Sequence, residues 1–407
     1  MLERFLNFFR QFGSNLWILA FGWFVSSLGF AASIPFISIY FHSELGLSTT
    51  EIGVFFAVIA VVRSFFQLLG GEMSDRISRR KMLINSQAIR VVTFVLLGLA
   101  IHYHWGFWAI AVFFTANSIV GAVFMPTVNA LVSDILPPEK RLDGYAVSRS
   151  GGNLGWAAGP AIGGFMAAHS YAILFFLSGA ITLLSVFIFW LFLKVPDSTK
   201  IQGQFRLKDL IAIKNDANLA RHAFLTFFLY LVIAQLIAPM SIYTVEMVGI
   251  SESQLGILFT VNGLLVVLLQ IPVTRLLARF RFTTQLAWGA ILHFIGYSLF
   301  GIFIGFHYFI FYMVVITLGE VILSPPTLTL TSRLAPEGRI GRYMGIHGFF
   351  VTAGWSLGPL YGGVILDHFG HTPVIAWLII SSLALLAGLG YLVFGRILPI
   401  KYNLKNI

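Results

Sequence analysis

Gly155-Trp156-Ala157-Ala158-Gly159-Pro160-Ala161-Ile162-Gly163-Gly164 has a counterpart at Gly354-Trp355-Ser356-Leu357-Gly358-Pro359-Leu360-Tyr361-Gly362-Gly363. The segments in front also correspond: Pro138-Glu139-Lys140-Arg141 with Pro336-Glu337-Gly338-Arg339. A second pair stands earlier in each half. Gly46-Leu47-Ser48-Thr49-Thr50-Glu51-Ile52-Gly53 matches Gly249-Ile250-Ser251-Glu252-Ser253-Gln254-Leu255-Gly256. Both read as capping boxes, in which a serine accepts from the third helical N–H and Glu or Gln reaches back. Matches at both ends of a long segment imply two copies of one unit.

Working outward, the surroundings of these runs are apolar. Of 407 residues 58% are hydrophobic and only 10% charged, with no cysteine. A soluble domain carries about 25% charged residues. So little charge implies a lipid solvent, in which only helices or closed barrels pair every backbone group. The apolar runs are too long and too unbroken for barrel strands, which alternate over about ten residues. Spans are predicted at 16–40, 50–71, 82–102, 107–133, 143–168, 171–194, 219–246, 252–275, 284–305, 308–332, 341–366 and 373–396. The expected fold is an all-α integral membrane protein of twelve transmembrane helices in two pseudo-symmetric six-helix bundles. Residues 1–194 form the first half, 195–218 a polar cytoplasmic loop and 219–407 the second half. Leu2, Phe5, Leu6, Phe9 and Phe12, with Arg4 and Arg10 between them, predict a short interfacial helix ahead of the first span.

Lysine and arginine orient the chain. Of the 26, all but Arg63, Arg90 and Arg149 lie at the ends of the chain or at connections on one side. The opposite connections hold none, carrying His42, Glu44, His102, His104, Glu246, Glu252 and Asp367 instead. This places both termini in the cytoplasm and explains the net charge of +10 without nucleic acid. The absence of cysteine excludes disulfides and thiolate metal sites, and no metal site, nucleotide-binding loop or nucleophile with its base is legible.

Between spans 2 and 3 the chain reads Gly71-Glu72-Met73-Ser74-Asp75-Arg76-Ile77-Ser78-Arg79-Arg80-Lys81. This resembles the signature loop of the major facilitator superfamily, with Ser78 where glycine is usual, and the resemblance covers nearly the whole chain. Gly71, Asp75, Arg76, Arg79 and Arg80 form the expected cytoplasmic latch, Asp75 meeting positive side chains or a helix N-terminus of the other half. The alternative is a basic loop that only sets topology. The equivalent loop after span 8 keeps Arg275, Arg279 and Arg281 but lacks the Asp. The run Gly155, Gly159, Pro160, Gly163, Gly164 is similar to the motif of exporting, proton-coupled members, and Gly354, Gly358, Pro359, Gly362, Gly363 repeats it. Glycines four apart let helices approach, and proline removes one backbone bond and bends the helix. Ordinary small-residue packing is the plainer alternative. The related 12-span drug:proton antiporters carry an arginine four residues before a glycine in span 4. Here Gly121 fits, but Asn117 occupies the arginine position.

Glu320, in Thr317-Leu318-Gly319-Glu320-Val321-Ile322-Leu323-Ser324-Pro325-Pro326, is the acid placed near the centre of a span. An ionised carboxylate there is costly. It is the expected proton-coupling and substrate residue, a structural acid bonded to a neighbouring helix being the alternative. Its Leu-Gly-Glu context followed by proline resembles some proton-driven multidrug members. Further cavity candidates are Arg63, Arg90, Asn117, Arg149, Asn153, Gln235 and Asn262. The arginines could equally snorkel to the cytoplasmic surface. Most histidines sit at outer connections; His222 and His293 carry no assignment.

Together these residues predict a secondary transporter and not an enzyme: a multi-pass protein of the inner membrane and a functional monomer. Protons are the coupling ion, and no cofactor is expected. The 41 Phe, 13 Tyr and 9 Trp suit amphipathic or cationic small molecules through area burial and cation–π attraction. Two alternatives stand beside multidrug efflux. One is transport of a defined polar metabolite, such as a sugar or an organic acid, with Arg63 or Arg149 holding an anionic group. The other is a receptor or scaffold that no longer transports.

Overall fold

The computed structural model describes residues 12–76, 78–137, 140–195, 216–336 and 340–404, with side chains except at 64–65, 67–76, 126, 133, 141–143, 146 and 340–342. The expected interfacial helix before residue 12 and most of the central loop lie outside the described residues.

Twelve long helical segments follow one another: α1 Ser14–Ser43, α2 Thr49–Arg76, α3 Arg79–His102, α4 Phe107–Ile135, α5 Arg141–Ala167, α6 Tyr171–Phe192, α7 Ala217–Ile233, α8 Glu252–Leu277, α9 Phe282–Leu299, α10 Phe306–Leu334, α11 Ile340–Phe369 and α12 Pro373–Ile397. Among the described residues nine are long and apolar enough to cross a membrane by length and composition alone, α7 only when taken together with the turns that follow it to Met247. The other three are α2, which carries Arg63, α5, which carries Arg149 and Asn153, and the short α9. A last turn, α13, spans Ile400–Asn403.

The termini of these helices follow local chemistry. Both capping boxes form. Ser48 N–H donates to Glu51 Oε2 at 2.8 Å and Glu51 N–H to Ser48 Oγ at 3.2 Å. Ser251 and Gln254 repeat the pair at 3.0 and 3.2 Å. Asp216 caps α7, its Oδ1 accepting from the N–H groups of Asn218 and Leu219 at 2.9 and 3.1 Å. The seventh span is broken. After Ile233 come a 3₁₀ turn at Ala234–Leu236, a short helix at Pro239–Ile242 and a π turn at Tyr243–Met247. Pro239 has no N–H to continue the ladder, so the chain bends there and restarts.

The chain divides into two compact units. The first holds Met1–Tyr40, Val58–Gly203 and Ser251–Thr260; the second holds Phe41–Ala57, Gln204–Ile250 and Val261–Ile407. Each unit therefore takes one helix end from the neighbouring stretch of sequence. The repeat is visible in the packing. In the first unit α3 packs along α4 and α6, and in the second α9 packs along α10 and α12. Leu16, Leu19, Trp23, Leu83, Phe124, Val128 and Phe189 build the core of the first. In the second, Trp377 stacks on Tyr297 at 5.9 Å and lies edge-on to Tyr243 at 5.3 Å.

The repeated glycine runs have a defined packing role. Gly151, Gly155, Gly159 and Gly163 form a ridge four residues apart on α5, pressed against the backbone of α1. A Cβ on Gly159 would lie 2.7 Å from Ala31 Cβ and 2.8 Å from Leu28 O. Gly354 and Gly358 do the same on α11 against α7, with Leu231 O 2.7 Å from a Cβ on Gly358. The last glycine of each run meets a helix end that has joined its unit: Gly164 the backbone of Glu252, Gly363 that of Thr49. Asp367 completes the second contact. Its Oδ1 accepts from Thr49 N–H at 3.0 Å and Thr49 Oγ1 at 2.5 Å, and its Oδ2 from Thr50 N–H at 2.7 Å. A carboxylate thus closes off the positive end of α2.

Candidate functional site

Glu320 occupies the middle of α10, fifteen residues into a 29-residue helix, and its side chain is half-buried. Glu320 Oε2 accepts from Asn262 Nδ2 on α8 at 3.0 Å. The same amide nitrogen donates to Thr317 Oγ1 at 2.9 Å. Thr317 lies three residues before Glu320, on the same face of α10, and its hydroxyl proton goes to Met313 O at 2.6 Å. Its lone pairs are thereby left for Asn262. No lysine, arginine or histidine forms an ion pair with Glu320 among the described residues. The carboxyl has a neutral amide as partner, and Tyr297 of α9 is within electrostatic reach.

Asn262 was singled out in the sequence, as a cavity candidate; Thr317 was not, although its i,i+3 spacing from Glu320 could have found it. His293 sits behind the acid's helix, its ring nitrogen 2.5 Å from where a Cβ on Gly319 would stand. Its Nδ1–H donates to Gly289 O at 2.8 Å, which leaves Nε2 buried without a partner. His222 is a packing residue. Its Nε2–H donates to Thr327 O at 3.1 Å, since a carbonyl only accepts, and Nδ1 accepts from the Tyr391 hydroxyl at 3.1 Å.

The other candidates fall in separate places. Gln235 lies in the break of the seventh span, its Nε2 donating to Leu231 O at 2.7 Å and to Gly358 O at 2.9 Å. It joins α7 to α11 in the second unit. Arg149 and Asn153 are exposed on α5, and Arg63 is half-buried on α2. Arg90 and Asn117 are buried together: Arg90 is 4% exposed and Asn117 1%. Arg90 does not snorkel. Its Nη1 donates to Ser26 Oγ at 3.2 Å and its Nε to Asn117 Oδ1 at 3.4 Å.

Of the expected latch residues, Gly71, Asp75 and Arg76 fall within the last turns of α2 and not in a loop, and the side chains of Asp75 and Arg76 lie outside the described residues. Arg79 and Arg80 are engaged inside the first unit. Arg79 forms a buried ion pair with Asp134 at 2.7 Å and donates to Ala130 O at 3.1 Å. Arg80 donates to Trp190 O and Leu193 O, both at 2.6 Å, closing the end of α6.

A chain of twelve long helices, with glycine–proline runs at equivalent positions of a twofold repeat, is matched by the family model described as Major Facilitator Superfamily over residues 19–359 and 222–405. The chain belongs to this superfamily. It is a multi-pass membrane transporter that takes small-molecule substrates, and it is not an enzyme. The chain is 30% identical over 376 residues to an uncharacterized MFS-type transporter, YttB, of Bacillus subtilis (strain 168), covering 91% of each chain. It is 24% identical to the quinolone resistance protein NorA of Staphylococcus aureus (strain MSSA476), over 88% of this chain and 92% of that one. A solved bacterial homolog to the human lysosomal transporter Spinster superposes with a TM-score of 0.76 at 15% identity, covering 97% and 98% of the two chains. That likeness is one of fold.

Proposed function

We propose that this superfamily member is a proton-coupled exporter of amphipathic or cationic small molecules, working by alternating access in the cytoplasmic membrane with both termini inside. Glu320 carries the reading: a carboxyl in mid-helix, without a cationic partner among the described residues, hydrogen-bonded to one neutral amide. Placed so, a carboxylic acid is held between two costs. Ionised, it lacks a counter-charge in an apolar helix; protonated, it accepts from the Asn262 amide only as a neutral carbonyl, a weaker bond than the charged one. A substrate cation or a proton relieves the first cost, and the two compete for one group. Exchange of one for the other across the two faces of the membrane is antiport. The 24% identity to a protein named for quinolone resistance supports the same reading. Residues 1–194 and 219–407 serve as the two moving halves, and Asp75, in the last turn of α2, serves as their latch.

The test is efflux of a cationic dye from proteoliposomes under an imposed pH gradient, comparing wild type with Glu320→Gln. Wild type moves dye against its gradient, and the variant, whose amide cannot exchange a proton, loses gradient-driven pumping while remaining folded. Pumping by Glu320→Gln at the wild-type rate would reduce the residue to a structural role. Absence of dye flux in wild type under any gradient would turn the search to polar metabolites.

A further inference from the structure

The first unit holds a charge that proton coupling at Glu320 does not use. Arg90 lies halfway along α3, about 16 Å from Arg79 along the axis. Burying an ion without a counter-charge costs several kcal/mol. Among the described residues no Asp or Glu forms an ion pair with it. α1 and α3 contain no Asp or Glu at all, and the single acid of α4, Asp134, is bound to Arg79. Arg63 of α2 repels it.

What the protein does supply is neutral and directed. Phe30 and Phe94 lie under the guanidinium at 4.8 and 5.7 Å, a cation–π arrangement. Ser26 gives its hydroxyl proton to Gln87 Oε1 at 2.9 Å, so its lone pairs face Arg90. Asn117 is turned the same way, its Nδ2 donating to Thr93 Oγ1 at 2.8 Å and its Oδ1 facing Arg90 Nε. Two donors remain over. The hydrogen bonds of the Arg90 guanidinium among the described residues leave from Nε and Nη1, which leaves Nη2 over, and Gln87 Nε2 is buried without a partner. The cluster is rich in donors, short of acceptors and net positive.

We infer that the Arg90 guanidinium, held by Asn117 and Ser26 between Phe30 and Phe94, is a binding site for the carboxylate of an amphipathic ligand. A carboxylate supplies the missing charge and accepts from Nη2, a charge-assisted bond about twice as strong as a neutral one. The flanking rings select a monoanion with an apolar body, because a dianion loses more hydration on entering. Arginine is suited to this where lysine is not, since its planar fork stays oriented by Nε and Nη1 while Nη2 binds. The site widens the substrate class from cations to zwitterions and carboxylic acids. It rests on the chain being a transporter and not on proton coupling.

Equilibrium binding of two dyes to the purified full chain tests it, read by fluorescence anisotropy without any gradient. The dyes are rhodamine B, which carries a free carboxylate, and its ethyl ester, which does not. Wild type binds the acid about tenfold or more tighter than the ester. Arg90→Gln abolishes that preference. Asn117→Asp keeps the arginine but installs a carboxylate beside Nε; it also loses the acid preference, and its thermal unfolding moves up. The second variant guards against simple misfolding of the first. A wild type that binds both dyes alike, or either variant retaining the full preference, overturns the inference. Because no gradient is applied, failure of proton-driven pumping does not affect this result.

Discussion

At the scale of single residues, the transporter relies on polar groups that are each oriented by a neutral neighbour. Asn262 is the clearest. One amide nitrogen spans two atoms of α10, the Glu320 carboxylate and the Thr317 hydroxyl. Replacing it by leucine removes the donor that faces the acid. A hydrogen bond to a charged group contributes about 1.5–3 kcal/mol, so Asn262→Leu should lower gradient-driven dye flux by about tenfold or more, while thermal unfolding shifts little. Flux equal to wild type would mean that the amide only packs α8 on α10. Glu320 could be found in the sequence because an acid in an apolar run is conspicuous. Thr317 could not, because threonine is common in membrane helices and nothing in its neighbours marks its face. Arg90 was visible as an intramembrane arginine. Its two polar partners come from helices 27 and 64 positions away in sequence, so the absence of a counter-charge emerges from the fold.

At the scale of helices, glycine position decides how closely pairs approach. The ridge on α5 has no room for a side chain against α1, whereas Gly348 on α11 has nothing within 4 Å of a built Cβ. The two sites should therefore respond oppositely to alanine. Gly159→Ala should destabilise by about 1–3 kcal/mol through backbone overlap, and Gly348→Ala should be neutral or stabilising by about 0.4–1 kcal/mol. Thermal unfolding of the purified protein in detergent measures both; equal responses would remove the packing role assigned to the ridge. The ridge was readable from the spacing of its glycines, and both capping boxes formed as their spacing implied. The break in the seventh span was not read. Pro239 was plain in the sequence, but the 3₁₀ and π turns around it depend on contacts such as Gln235 with Gly358, which local composition does not encode. Helices that are apolar all round also hide which face looks inward. Arg149 and Asn153, exposed on α5, stand in positions that no apolar stripe could have indicated.

At the scale of the whole molecule, an internal repeat and long apolar runs carried most of the architecture. The repeat returns as equivalent helix pairs, α3 with α4 and α6, α9 with α10 and α12. The grouping of Phe41–Ala57 and Ser251–Thr260 with the opposite stretches of sequence was not legible, because it depends on tertiary contacts such as Asp367 with Thr49 and Thr50. The connections that carry Asp367, Glu44 and His104 hold no lysine or arginine. A protease that cuts only after those two residues therefore finds no substrate on that face. Trypsin added to sealed right-side-out vesicles should leave the chain at full length. In inverted vesicles it should cut within 195–218, after Lys200, Arg206, Lys208 or Lys214, and release two fragments of nearly equal mass on a denaturing gel. The reverse pattern would place the termini outside. In the proposed orientation, the transporter presents to its surroundings a face that the commonest digestive specificity cannot attack.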